Sequence, residues 1–226
     1  MDWQRSPLPI VADTLPTITV LAGTNGAGKS SIGGAMLESA GAPFFDPDRE
    51  TRALIAANPG MSLAEANAEA WRIGRDRLAA AIANRQSFNF ETTLGGATIA
   101  RMLADARKSG LRVRMWYCGL RSANLHVARV QARVRRGGHD IPEAKIRERF
   151  DASRNNLCTL LPSLYELVLY DNSIEADPND AQPPRPLKLL HYRDDCVLFR
   201  AASMPEWAKP IVALSLARHA IPADGN

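Results

Sequence analysis

The sequence has little of what would tie a protein to an oxidising compartment, a metal cluster or a membrane. Its 226 residues include only three cysteines, Cys118, Cys158 and Cys196. The number is odd and no Cys-x-x-Cys pair occurs, which excludes a disulfide framework or a thiolate metal site as the organising device. Cys118 lies in an apolar run and reads as core. No stretch approaches the roughly eighteen apolar residues of a spanning helix, and no basic segment followed by a long apolar run opens the chain. The expectation is a cytoplasmic protein with no membrane partner. Charge of one sign is also scarce: 28 Lys and Arg against 24 Asp and Glu leave a net charge of +4. That suits a phosphate-bearing partner, and lacks the dense basic clustering that nucleic-acid binding calls for. Internal repeats are absent.

What is present is a core. Hydrophobic residues make up 46% of the chain, enough for one α/β domain with a small extension. Residues 1–16, with Pro7, Pro9 and Pro16, read as an irregular lead-in. Short apolar, β-branched runs at 17–23, 43–46, 87–91, 111–120 and 165–171 read as strands. Helices are expected from about Lys29 to Ala40, after the break at Asn58-Pro59-Gly60, over 97–109, over 122–136 and after Pro142. Ser62 and Glu65 form a capping box for the long second helix. Such alternation gives an open parallel sheet with helices on both faces. The domain is expected over 17–176. Residues 177–226 follow as a proline- and aspartate-rich loop, a hairpin over 187–200 and a terminal helix over 205–219, packed on the same domain.

Residues 23–30 read GTNGAGKS, a complete Walker A loop placed directly after a strand and opening a helix. Glycines permit the tight turn that aims backbone N–H groups at phosphates, and the helix N-terminus adds partial positive charge. Lys29 is placed to reach the β- and γ-phosphates and Ser30 to ligate magnesium. The expected nucleotide site comprises Gly23, Asn25, Gly26, Ala27, Gly28, Lys29, Ser30 and Ser31, with ATP and Mg2+ as cofactors.

Other polar groups fall where strands end, which is where open parallel sheets bind ligands. Asp46-Pro47-Asp48 follows the second strand; its carboxylates suit a magnesium water or a proton taken from a hydroxyl, and the same triplet also suits a plain turn. Glu91, Thr92 and Thr93 end the third strand and suit a sugar or magnesium, or a helix cap. Arg129, Arg133 and Arg136 recur at helical spacing ahead of Gly137-Gly138-His139, a hinge that would make them a mobile basic face. That face reads equally as a solvated one. His139 reads as part of the hinge. Asp171, after the apolar VLY, is a candidate Walker B carboxylate or the start of a turn.

These segments together resemble the zeta-toxin family of P-loop kinases, specifically its chromosomal branch known as predicted ABC-type ATPases. The resemblance runs over roughly residues 16–173 and rests on GTNGAGKS (23–30), FFDPD (44–48), SFNFETTLGG (87–96), RVRRGGHDIPEAKIRERF (133–150) and LVLYDNS (167–173), in the family's order. It implies a P-loop kinase-type fold and transfer of the ATP γ-phosphoryl group to a hydroxyl, in the best-known members that of the nucleotide sugar UDP-N-acetylglucosamine. It implies that Asp48 is the general base, that Glu91 and Thr93 bind substrate, and that Arg133 is the first lid arginine. His139 falls where the second lid arginine is expected, leaving Arg136 or Arg147 to substitute. Asp46 and Thr92 complete the expected substrate site. Known toxins of the family pair with a small antitoxin, which makes such a protein a possible partner. The alternative reading is an ABC-type NTPase or a nucleic-acid kinase; the first wants an LSGGQ-like signature and adjacent acids after the Walker B strand, and the chain has neither.

Overall fold

The computed structural model describes residues 15–29, 33, 44–174 and 185–219. Seven strands form one sheet in the order β2-β3-β1-β4-β5-β6-β7: β1 (Thr17–Ala22), β2 (Phe44–Phe45), β3 (Phe88–Thr92), β4 (Arg112–Gly119), β5 (Glu166–Asp171), β6 (Leu187–Arg193) and β7 (Cys196–Arg200). The first five are parallel, and the β6–β7 hairpin adds antiparallel to β5. The chain leaves β1 for β2 and β3 on one side, then crosses to β4 on the other. That reversal opens a crevice beyond the C-terminal end of β1.

β1 reads TITVLA and all but Thr19 is buried, as a central strand covered on both faces requires. The helices are α1 (Pro47–Ala57), α2 (Leu63–Ala83), α3 (Ala97–Lys108), α4 (Ala123–Val134), α5 (Glu143–Leu160) and α6 (Lys209–His219). Among the described residues, no helix is long and apolar enough to cross a membrane. The expected helix over 29–40 and most of the 177–186 loop lie outside the described residues.

The expected capping box is present: Glu65 N donates to Ser62 Oγ at 3.3 Å and Ser62 N to Glu65 Oε2 at 2.9 Å. Behind it, Gly74 lets α2 close on β2, since a Cβ there would sit 2.5 Å from the Phe45 ring. Leu103 of α3 is wholly buried, so truncating it to alanine would cost about 2–5 kcal/mol. One element departs from the sequence reading. Asp46-Pro47-Asp48 is a helix start: Asp46 Oδ1 accepts from Asp48 N at 2.8 Å and Arg49 N at 3.3 Å, and Pro47 takes the first helical turn. The helix escapes periodicity because Arg49, Glu50 and Arg52 interrupt its apolar stripe and only Thr51 is buried.

Candidate active site

The phosphate loop is fixed from three sides. Gly23 N donates to Thr92 O of β3 at 3.2 Å. Gly23 has φ +141°, and a Cβ there would lie 2.1 Å from the Cys118 carbonyl of β4; no other residue fits that position. Further along, the Ala27 carbonyl accepts from Asn172 Nδ2 at 2.9 Å and from the Cys118 thiol at 3.0 Å. Burial pushes the Cys118 pKa up to about 12, which keeps it a thiol donor. The Asn25 carbonyl faces Nδ1 of buried His126 at 2.8 Å. A trans peptide points its N–H opposite its C=O. Tying down the carbonyls of Asn25 and Ala27 therefore turns the amides of Gly26 and Gly28 the other way, as a phosphate cradle requires.

Lys29 is buried, with Nζ donating to Gly23 O at 2.8 Å and lying 3.4 Å from Glu91 Oε1. Burial raises the pKa of Glu91, Lys29 pulls it back only in part, and the carboxylates of Asp46 and Asp48 push it further up. Glu91 thus pairs with the buried Lys29, and the carboxylates of Asp46 and Asp48 from the end of β2 act on it from the other strand. Asp48 is also 4.0 Å from Arg133 Nη1 of α4. Arg133 Nη2 in turn donates to His139 O at 3.2 Å, so the hinge contributes its backbone to the site.

The segment after β3 is pinned to α5. Thr92 Oγ1 accepts from Leu94 N at 3.0 Å, Thr93 O accepts from Ser153 Oγ at 2.7 Å, and Leu94 O accepts from Asn156 Nδ2 at 2.9 Å. Leu94 holds φ 53°, a costly conformation for a branched side chain. These bonds hold it there.

The fold therefore brings together Gly23, Asn25, Gly26, Ala27, Gly28, Lys29, Asp46, Asp48, Glu91, Thr92, Thr93 and Arg133. Ser30 and Ser31 lie outside the described residues. Arg136 is exposed beyond the end of α4, and Arg147 points away in a pair with Glu143 at 2.7 Å. Arg149 does touch the phosphate loop: its Nη1 donates to Asn25 Oδ1 at 2.8 Å and its carbonyl accepts from Thr24 Oγ1 at 3.3 Å. The signal was available: Arg149 lies three residues after buried Ile146 and four before buried Ser153, on the inward face of α5. His126 and Asn172 were also missed, because only tertiary contact reveals them. Asp171 Oδ1 accepts from Ser173 Oγ at 2.5 Å and Trp207 Nε1 at 3.3 Å, the network of a structural turn.

Comparison with known proteins bears on the family and the fold. A family model described as zeta toxin matches residues 4–175. An uncharacterized protein of Haemophilus influenzae is 31% identical over 128 residues, covering 57% of this chain and 88% of the relative. Two crystal structures of the AvrRxo1-ORF1:AvrRxo1-ORF2 pair are similar. The one with sulphate ions has TM-score 0.62 and 18% identity, over 89% of this chain and 64% of that one. The one with ATP has TM-score 0.58 and 17% identity, over 94% and 66%. This chain thus spans just under two thirds of their length. The PezAT chromosomal toxin–antitoxin system of Streptococcus pneumoniae gives TM-score 0.53 and 12% identity over 91% of this chain and 86% of that one. At such identities the structural likeness speaks to the fold.

Proposed function

This chain belongs to the zeta-toxin family, and from that premise we propose that it is a phosphotransferase that binds ATP with magnesium at residues 23–31 and transfers the γ-phosphoryl group to a sugar hydroxyl, that of a nucleotide sugar such as UDP-N-acetylglucosamine. The observation that carries this reading is the placement of Asp48 beside both the Lys29–Glu91 pair and Arg133. A kinase needs a carboxylate there to take a proton from its acceptor, whereas an ABC-type motor is expected to carry adjacent acids after its Walker B strand.

The residues present fit a nucleotide. A glycine-lined loop with its carbonyls tied back offers its amides to phosphate oxygens, and Lys29 adds a buried cation. ATP would supply the phosphoryl group and magnesium would neutralise charge on its oxygens; Ser30, from the motif, is the group that would hold the ion. Asp48 accepts the proton as the acceptor oxygen bonds to phosphorus and the bond to the bridging oxygen of ADP breaks. Arg133 and Arg149 steady the charge on the moving group, with Arg149 in the role sought for Arg136 or Arg147. Glu91, Thr92 and Thr93 orient the acceptor, while Asp46 mainly holds the start of α1.

The PezAT protein is part of a toxin–antitoxin system, which supports a small antitoxin as a partner of this chain too. The test is incubation with ATP, magnesium and a panel of nucleotide sugars, nucleotides and RNA, read by mass spectrometry. One phosphoryl group added to a nucleotide sugar is the expected result. Brisk ATP hydrolysis that no acceptor alters would overturn the kinase reading.

A further inference from the structure

His126 is a buried group that the transfer chemistry does not use. It stands on α4, 1% exposed, with its ring 5.5 Å from Phe150 of α5 in an edge-on arrangement. Its Nδ1 lies 2.8 Å from the Asn25 carbonyl. A carbonyl only accepts, so Nδ1 must carry the proton. The charged groups that face it are Lys29 from the phosphate loop, Arg129 from α4 and Arg154 from α5. All are cations, and with burial, the largest cause, they hold the imidazole neutral, its pKa lowered to about 4. A neutral imidazole here is thus a fixed one-proton donor over the whole physiological range.

We propose that His126 is a positioning residue for nucleotide binding: its Nδ1–H holds the Asn25 carbonyl and so fixes the peptide whose opposite side is the Gly26 amide. The inference rests on the ATP-binding reading above and deepens it. Two further contacts at the same place support it. A Cβ on Gly26 would lie 2.9 Å from the His126 carbonyl and 3.3 Å from Val130 Cγ2, so α4 is seated directly on the loop. Arg149 of α5 holds the side chain of the same Asn25. Asn25 is therefore gripped twice: its backbone by the helix that carries Arg133, its side chain by the helix that follows the hinge. The imidazole sets the loop's peptide orientation and registers the arginine helix on it together. Without the donor, the peptide is free to turn, and ordering it falls to the incoming nucleotide.

The test compares His126→Phe, which keeps an aromatic ring against Phe150 and loses the donor, with His126→Asn, whose side-chain amide can reach the same carbonyl. ATP affinity is measured directly by calorimetry, apart from any acceptor, with circular dichroism as the check on folding. The Phe variant is expected to bind ATP about tenfold or more weakly, the scale of one lost buried hydrogen bond. The Asn variant should recover most of that, and acceptor KM should be unmoved in both. A folded Phe variant with wild-type ATP affinity, or an Asn variant no better than Phe, overturns the proposal. Wild-type protein that binds no ATP would overturn the functional reading instead. Should the Phe variant fail to fold, 15N NMR of the wild-type imidazole decides the matter: the Nδ1–H tautomer at pH 7 is expected, and the Nε2–H tautomer contradicts it.

Discussion

Two glutamates on the same sheet, Glu166 buried and Glu91 half-buried, are treated in opposite ways. Glu166, the first residue of β5, is met by Arg114 Nε at 2.9 Å, Arg193 Nη2 at 2.7 Å and His191 Nε2 at 2.7 Å. Burial opposes its ionisation, but bonds from His191 and Arg193 and the charges of Arg193 and Arg114 outweigh that and lower its pKa to about 2. Glu91, near the C-terminal end of β3, has its pKa raised by burial first and then by the carboxylates of Asp46 and Asp48, against which Lys29 pulls only in part. A carboxylate surrounded by donors stabilises its charged state; one left short of them keeps the ability to bind something else. The first glutamate holds strands together. The second is the one proposed to meet a ligand.

The comparison breaks most visibly at Glu166. Glu166→Gln removes the anion from among its cations and is expected to cost on the order of 3 kcal/mol at pH 7, with transfer activity of the remaining folded protein unchanged. Because the folded pKa is depressed, this stability is present above the usual value of 4.5 and is lost as pH falls towards 2. The acid limb of a stability–pH curve should therefore flatten in the variant over that window. A variant as stable as wild type at pH 7 would place Glu166 among ordinary surface acids.

Lys29→Ala attacks the other end. It takes away the one cation near Glu91 and is expected to weaken ATP binding by roughly 1.5–3 kcal/mol, read by calorimetry. Unchanged affinity would move the phosphate site elsewhere.

The smallest effect sharpens the contrast. Since burial leaves Glu91 reluctant to ionise, Glu91→Gln should leave the thermal midpoint unchanged or slightly higher while reducing acceptor use with ATP affinity nearly intact. Raised folded pKa means its charged form costs stability as pH rises, so any gain should be larger at pH 8 than at pH 5. A lower midpoint at pH 8 would give Glu91 a structural role like that of Glu166.

This contrast also explains what was legible in the sequence. The phosphate loop, the strands and the capping box depend on local spacing, and they could be placed from it. Glu91 was legible because it ends a strand beside Thr92 and Thr93. Glu166 was not, because its partners come from β4 and β6 through strand register. Arg149 is legible only through helical phase, which sets it on the same face of α5 as Ile146 and Ser153 and sets Arg147 off it. The α1 helix was missed because Asp-Pro-Asp serves turns and helix starts alike, and the contacts of Asp46 decide which.

The acids beyond β2 and β3 are proposed to serve transfer and not hydrolysis or scaffolding, with Asp48 taking the acceptor proton. The direct measurement is single-turnover transfer of labelled γ-phosphoryl to the acceptor by Asp48→Ala, alongside ATP affinity of the same folded protein. Affinity close to wild type and transfer slower by about 10²-fold or more are the expected results. Transfer at the wild-type rate would contradict it.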